Sequence, residues 1–145
     1  MTELARLREA LEAAHQAAAA AMQAILREEE ALRSAIRDLE ERLREARALP
    51  GDLLAAPRAI GADILWRGWT ERQRRMLNTE LARVLVRKAE KADALRLSFG
   101  RAEAARHLAD EAEAARRKAA LGREAERLES LAVTLRLREA GGRNP

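Results

Sequence analysis

Few side chains in this sequence could perform covalent or acid–base chemistry. Cysteine and tyrosine are absent, which excludes thiolate nucleophiles and a disulfide framework. The serines are Ser34, Ser98 and Ser130, and the histidines are His15 and His107. In an antiparallel pairing of two helices those histidines would lie at one height, with Glu12 and Glu111 near them. Imidazole and carboxylate are the donor types of a metal site. Histidine on a coiled-coil surface is ordinary, and that reading carries more weight. No glycine-rich loop follows a strand, because nothing in the chain reads as a strand. The expectation is therefore a protein that is not an enzyme and holds no cofactor or metal.

Binding chemistry is better represented. An apolar cluster of Ile64, Leu65, Trp66, Trp69, Met76 and Leu77 contains both tryptophans of the chain. Tryptophan and methionine are favoured at the centres of protein interfaces. The competing reading is that both rings plug the end of a helical hairpin. A basic stripe of Arg83, Arg87, Lys88 and Lys91 follows, with Arg72, Arg74 and Arg75 before it. Arg83, Arg87 and Lys91 share a helix face and repel one another mildly. Such a stripe fits an acidic partner surface, or it pairs with Glu28, Glu29 and Glu30 on a neighbouring helix.

The elements that must position these groups are long helices about one break. Pro50, Gly51, Pro57, Gly61 and Gly68 fall between residues 49 and 69, and helix-forming sequence lies on either side. Pro50 and Gly51 end the first helix. Residues 49–69 read as a connection with one or two short helical turns, capped by Asp52 and Asp63. Leu53, Leu54, Ile60, Ile64 and Leu65 make it too apolar for a flexible linker. Thr70-Glu71-Arg72-Gln73 fits a capping box, which starts the second helix at residue 70.

The first helix, residues 2–48, opens on Thr2 as N-cap with Glu3 beside the helix dipole. Its apolar positions are Leu4, Leu7, Leu11, Ala14, Ala18, Met22, Ile25, Leu32, Ile36, Leu39, Leu43 and Ala46. That is a heptad seam with one extra four-residue step through the Ala17–Ala21 run. Glu29 falls on the seam, either at its edge or paired with an arginine of the other helix. Glu29 with Arg33, Asp38 with Arg42 and Glu40 with Arg44 are spaced for i,i+4 ion pairs. At 1.5 Å per residue this helix is about 70 Å long.

The second helix, residues 70–138, carries Leu77, Leu81, Val84, Leu85, Ala92, Leu95, Phe99, Ala102, Ala105, Leu108, Ala112 and Ala115. It continues through Leu121, Ala125, Leu128, Leu131 and Leu135. Gly100 and Gly122 could kink it, at about 1 kcal/mol each relative to alanine. Residues 139–145, with Gly141, Gly142, Asn144 and Pro145, read as a frayed tail.

Composition agrees with this plan. The 145 residues form one domain at most. Alanine, leucine, arginine and glutamate dominate, with two tryptophans and one phenylalanine. That is the composition of long helices or coiled coil. A net charge of +4 from 28 basic and 24 acidic side chains is not a nucleic-acid signature. With little aromatic interleaving, nucleic acid is not an expected partner. No stretch reads as a signal peptide or a membrane span. The expected location is the cytoplasm, where a partner complex could hold the chain at the inner membrane.

Folding back at the break pairs residues whose numbers sum to roughly 115 to 120, so Ala17–Ala21 faces Ser98-Phe99-Gly100. Residues 1–49 hold 8 basic and 10 acidic side chains, and residues 69–145 hold 18 and 12. Opposite net charges favour the antiparallel arrangement. The first helix does not reach residues 115–138. Their leucines Leu121, Leu128, Leu131 and Leu135 keep coiled-coil spacing and read as a contact for a second copy or another partner. The fold class is thus all-α, a long antiparallel two-helix coiled-coil hairpin.

The chain resembles the FliJ/YscO family of bacterial flagellar and type III secretion stalk proteins. The residues that carry the likeness are Trp66-Arg67-Gly68-Trp69, then Met76, Leu77 and Leu81, an aromatic-x-x-aromatic element followed by apolar positions. Arg72 departs from the pattern, because a further aromatic is usual there. The resemblance implies a cytoplasmic coiled coil that takes part in protein transport without being an enzyme. It would bind an export ATPase ring through its paired helix ends and an export gate component through the start of the second helix. A structural or scaffolding coiled coil, self-associating as a homodimer, is the alternative.

Overall fold

The computed structural model describes residues 2–48 and 57–142. The break at Pro50, Gly51 and Asp52, the apolar pair Leu53 and Leu54, and Asn144 and Pro145 of the tail lie outside the described residues. Two helices make up the structure, α1 (Glu3–Ala48) and α2 (Pro57–Gly141). The protein is all-α, with no strand among the described residues.

Local sequence explains both helices. Thr2 caps α1 as expected: its hydroxyl oxygen accepts from the Ala5 amide at 3.2 Å, and its carbonyl accepts from the Arg6 amide at 3.1 Å. These bonds satisfy amides that have no partner inside the helix. Pro57 opens α2 in the first turn, where the missing N–H would have no partner inside the helix. The Gly142 amide closes the other end on the Arg138 carbonyl at 3.0 Å.

The second helix therefore begins at residue 57, not at residue 70. Residues 57–69 belong to α2 rather than to a connection of short turns. Thr70 is not an N-cap. It is buried, 2% exposed, and its hydroxyl donates to the Trp66 carbonyl at 2.7 Å. That bond back to residue i−4 occurs inside a helix, not at its start. Asp63, expected as a cap, pairs with Arg67 at 3.0 Å, and Glu71 pairs with Arg75 at 3.8 Å. The helix also runs unbroken through Gly100 and Gly122 to Gly141. At both glycines an added Cβ would meet nothing within 4 Å, so neither is there to admit a close neighbour.

Contacts sort the chain into two units, Ala13–Phe99 and Met1–Glu12 with Gly100–Pro145. In the first, the two helices pair antiparallel: His15 meets Ser98 and Glu28 meets Arg87. Its buried side chains are Met22, Ile25, Glu29 and Leu39 on α1, with Thr70 and Val84 on α2. The part- and fully buried positions of α1 here include 15, 18, 22, 25, 29, 32, 36, 39, 43 and 46, with Ala19, Ser34 and Ala35 part-buried beside them. The steps along the first set alternate 3 and 4, the spacing of a heptad seam. The extra four-residue step placed in the alanine run is absent, because His15 rather than Ala14 fills the seam position there, while Glu29 holds the seam position read for it. Leu7 and Ala14, placed on the seam from sequence, are exposed.

In the second unit, α1 and α2 again pair antiparallel. Arg106 reaches Glu12 at 3.3 Å and Arg8 approaches Asp110 at 3.9 Å. Ala102, Ala105 and Ala109 are buried. From residue 113 to residue 142 every residue is exposed.

Candidate protein-interaction surfaces

The start of α2 turns its two tryptophans in different directions. Trp66 is half-buried and lines a cavity of about 280 Å³ with Leu43, Ala46, Arg47, Asp63 and Arg67. This ring matches the plug reading. Trp69 is 44% exposed. At 100° per residue, Leu65, Trp69, Arg72 and Met76 fall on one face of the helix. Leu65 and Met76 are 76% and 52% exposed, so this face points away from α1. Leu77 and Leu81 are half-buried and belong to the inner seam. The cluster read from sequence is thus two sets, Trp66 and Leu77 inside and Ile64, Leu65, Trp69 and Met76 outside, with Leu81 continuing the inner set.

Sequence reasoning missed how far the outer face extends. Val86 and Leu97 are also exposed, and they fall on the same row as Leu65, Trp69 and Met76, with Thr79, Arg83, Glu90 and Asp93 at the positions between. The signal was present as isolated apolar residues on the outer side of α2. It went unread because the inner seam already accounted for the helix.

The basic stripe is largely paired within the chain. Arg87 donates to Glu28 at 2.7 Å across the two helices, and this contact holds the guanidinium above its ordinary pKa. Lys88 donates to Glu29 at 2.7 Å, and Arg83 pairs with Glu80 on its own helix at 2.7 Å. Glu30 pairs with Arg37. Lys91 has no ion-pair partner among the described residues. Arg83, Arg87 and Lys88 thus each have an acidic partner within the chain.

Glu29 does not sit at the seam edge. It is buried and bonds Lys88, not an arginine, on the facing helix, while Arg33 of its own helix donates at 3.0 Å. Hydrogen bonds from Lys88 and then Arg33 hold its carboxyl below the ordinary glutamate value of 4.5, against the opposing effect of burial. Of the other spaced pairs, Arg44 bonds Glu41 rather than Glu40.

His15 lies on the inner seam. Its Nδ1 is 3.1 Å from the Ser98 hydroxyl, which itself donates to the Leu95 carbonyl at 2.9 Å. The Phe99 ring stands edge-on to His15 at 5.5 Å between centroids. Phe99 is half-exposed there. His107 is exposed. No group of three or more metal-ligating side chains is placed together among the described residues.

Leu121, Leu128, Leu131 and Leu135 are 59–67% exposed, and Val133 and Leu137 also face water. The first four share one side of α2, while Val133 and Leu137 lie on the other, a pair not singled out from sequence. Among the described residues no helix is long and apolar enough to cross a membrane. No family model, curated protein or solved structure matches this chain.

Proposed function

We propose that this chain is a non-enzymatic coiled-coil adaptor that docks a protein partner through the outer face of α2. The observation that carries this reading is the row Leu65, Trp69 and Met76. In a chain with two tryptophans and one phenylalanine, the more exposed tryptophan stands on the face that α1 does not cover. Large apolar side chains grouped on a solvent face mark interaction sites. A tryptophan is well suited to anchor one, because it gives much contact area for few rotatable bonds.

The likeness to flagellar and type III export stalk proteins gives the adaptor a concrete role. In that role the start of α2 contacts an export gate component, an export ATPase ring holds the paired helix ends, and the chain couples the two in the cytoplasm. An export ATPase gene beside the gene for this chain would support the role. The direct test is binding of the full chain to a purified export gate component. Trp69→Ala should abolish it while circular dichroism shows the helices intact. A second reading, a scaffolding coiled coil, is favoured by the exposed leucines of residues 121–135.

A further inference from the structure

We infer that the leucine face of residues 118–139 is a docking surface for a second copy of this chain, paired antiparallel. This surface is separate from the Trp69 face, so the two readings stand or fall independently. Leu121, Leu128, Leu131 and Leu135 follow steps of seven, three and four, and each is more than half exposed. The spacing is that of a coiled-coil seam. Leu121, Leu128 and Leu135 take one seam position of the heptad, and Arg117, Glu124, Leu131 and Arg138 take the other.

Charge decides the orientation and the register. In a parallel pair each seam residue faces its own copy, which stacks Glu124 on Glu124, Arg117 on Arg117 and Arg138 on Arg138 in the seam. Like charges so placed oppose association. An antiparallel pair centred between Ser130 and Glu129 removes every one of these clashes. Leu128 of one copy then faces Leu131 of the other, twice. Leu135 faces the stem of Glu124, and Leu121 faces the stem of Arg138, whose charged ends can reach water. On one flank Ala125 faces Ala132, small residues that let the helices approach closely. On the same flank Lys118 meets Glu139 at both ends of the overlap. Shifting the register by one heptad toward the N-terminus sets Arg127 against Arg127 and Glu111 against Glu139. The chain already uses opposite charges in antiparallel helices at Glu29 and Lys88. Flanking pairs of this kind set partner choice and orientation in coiled coils.

The test is sedimentation equilibrium of the full chain across micromolar concentrations, with circular dichroism of each variant. The full chain should sediment as a reversible dimer, and Leu128→Asp should make it monomeric with its helicity retained. Lys118→Glu or Glu139→Lys alone should weaken the dimer roughly tenfold, through two repulsive contacts each. The double variant Lys118→Glu with Glu139→Lys should restore it. Rescue is specific to the antiparallel register, since residues 118 and 139 never meet in a parallel pair. A chain monomeric at all concentrations would overturn the inference. So would a dimer that the single charge reversals leave unchanged, or one that the double variant fails to restore.

Discussion

Lys88 on α2 donates a hydrogen bond of 2.7 Å to Glu29 on α1, and the carboxylate it meets is buried. This ion pair lies in the seam between the helices, where a plain coiled coil would place leucine. Because Arg33 bonds the other carboxylate oxygen, neither oxygen is left without a donor. Glu29 and Lys88 thus join the two helices at one height, a position where polar seam residues set register in other coiled coils.

The first prediction follows from that pair. Lys88→Ala should lower the melting temperature clearly more than Arg96→Ala, which removes an exposed pair with Asp93. Stability should also depend on acid. The Glu29 carboxyl is depressed in the folded state, so the unfolded chain binds its proton more readily. Its contribution is complete above the ordinary value of 4.5 and is lost as pH falls through the folded value. Thermal melts between pH 7 and pH 3 should show a steeper decline for the natural chain than for Glu29→Gln.

Thr70 gives a second prediction that separates two readings of one motif. At an N-cap, aspartate would serve at least as well as threonine. Inside the seam it would bury an unpaired carboxylate. Thr70→Asp should therefore destabilise the protein by at least about 2 kcal/mol in urea unfolding. A neutral or stabilising effect would restore the cap.

The glycines of α2 give a third. An added Cβ at Gly100 or Gly122 meets nothing within 4 Å. Each Gly→Ala change should then stabilise the chain by about 0.5–1 kcal/mol through helix propensity and a less flexible unfolded state. A loss of stability at either site would mean that the glycine serves a bend.

The tryptophans give a fourth. Trp66 is half-buried and lines one cavity with Leu43 and Ala46, whereas Trp69 faces outward. Trp66→Ala should cost about 1–3 kcal/mol, below the 3–5 of a fully buried ring. Trp69→Ala should change stability by under about 1 kcal/mol. Equal losses at both sites would place both rings in the plug.

These residues also show what was legible in the sequence. The antiparallel pairing was, because the break between two helical arms, their leucine spacing and their opposite net charges all pointed one way. The start of α2 was not. Thr70 and Gln73 match a capping box locally, but helix formers on both sides and the ion pair of Asp63 with Arg67 carry the helix through Gly61 and Gly68. Glu29 was legible as a seam position, but the seam was misread at His15, because an apolar filter skips a polar residue that finds its partner only in the fold. The division of the tryptophan cluster was hidden for a related reason. Which of Trp66 and Trp69 faces α1 depends on the rotation of α2, and a helix taken to start at residue 70 leaves that rotation undefined at both rings.

The central claim is that the outer face of α2 is a docking surface. The most direct measurement is the affinity of the full chain for a purified export gate component, by calorimetry, for the natural chain and for Leu65→Ala with Trp69→Ala. The account predicts specific binding by the natural chain and a loss of at least about 30-fold in the double variant, with unchanged circular dichroism. Equal affinity in the two chains, or no binding by the natural one, would contradict it.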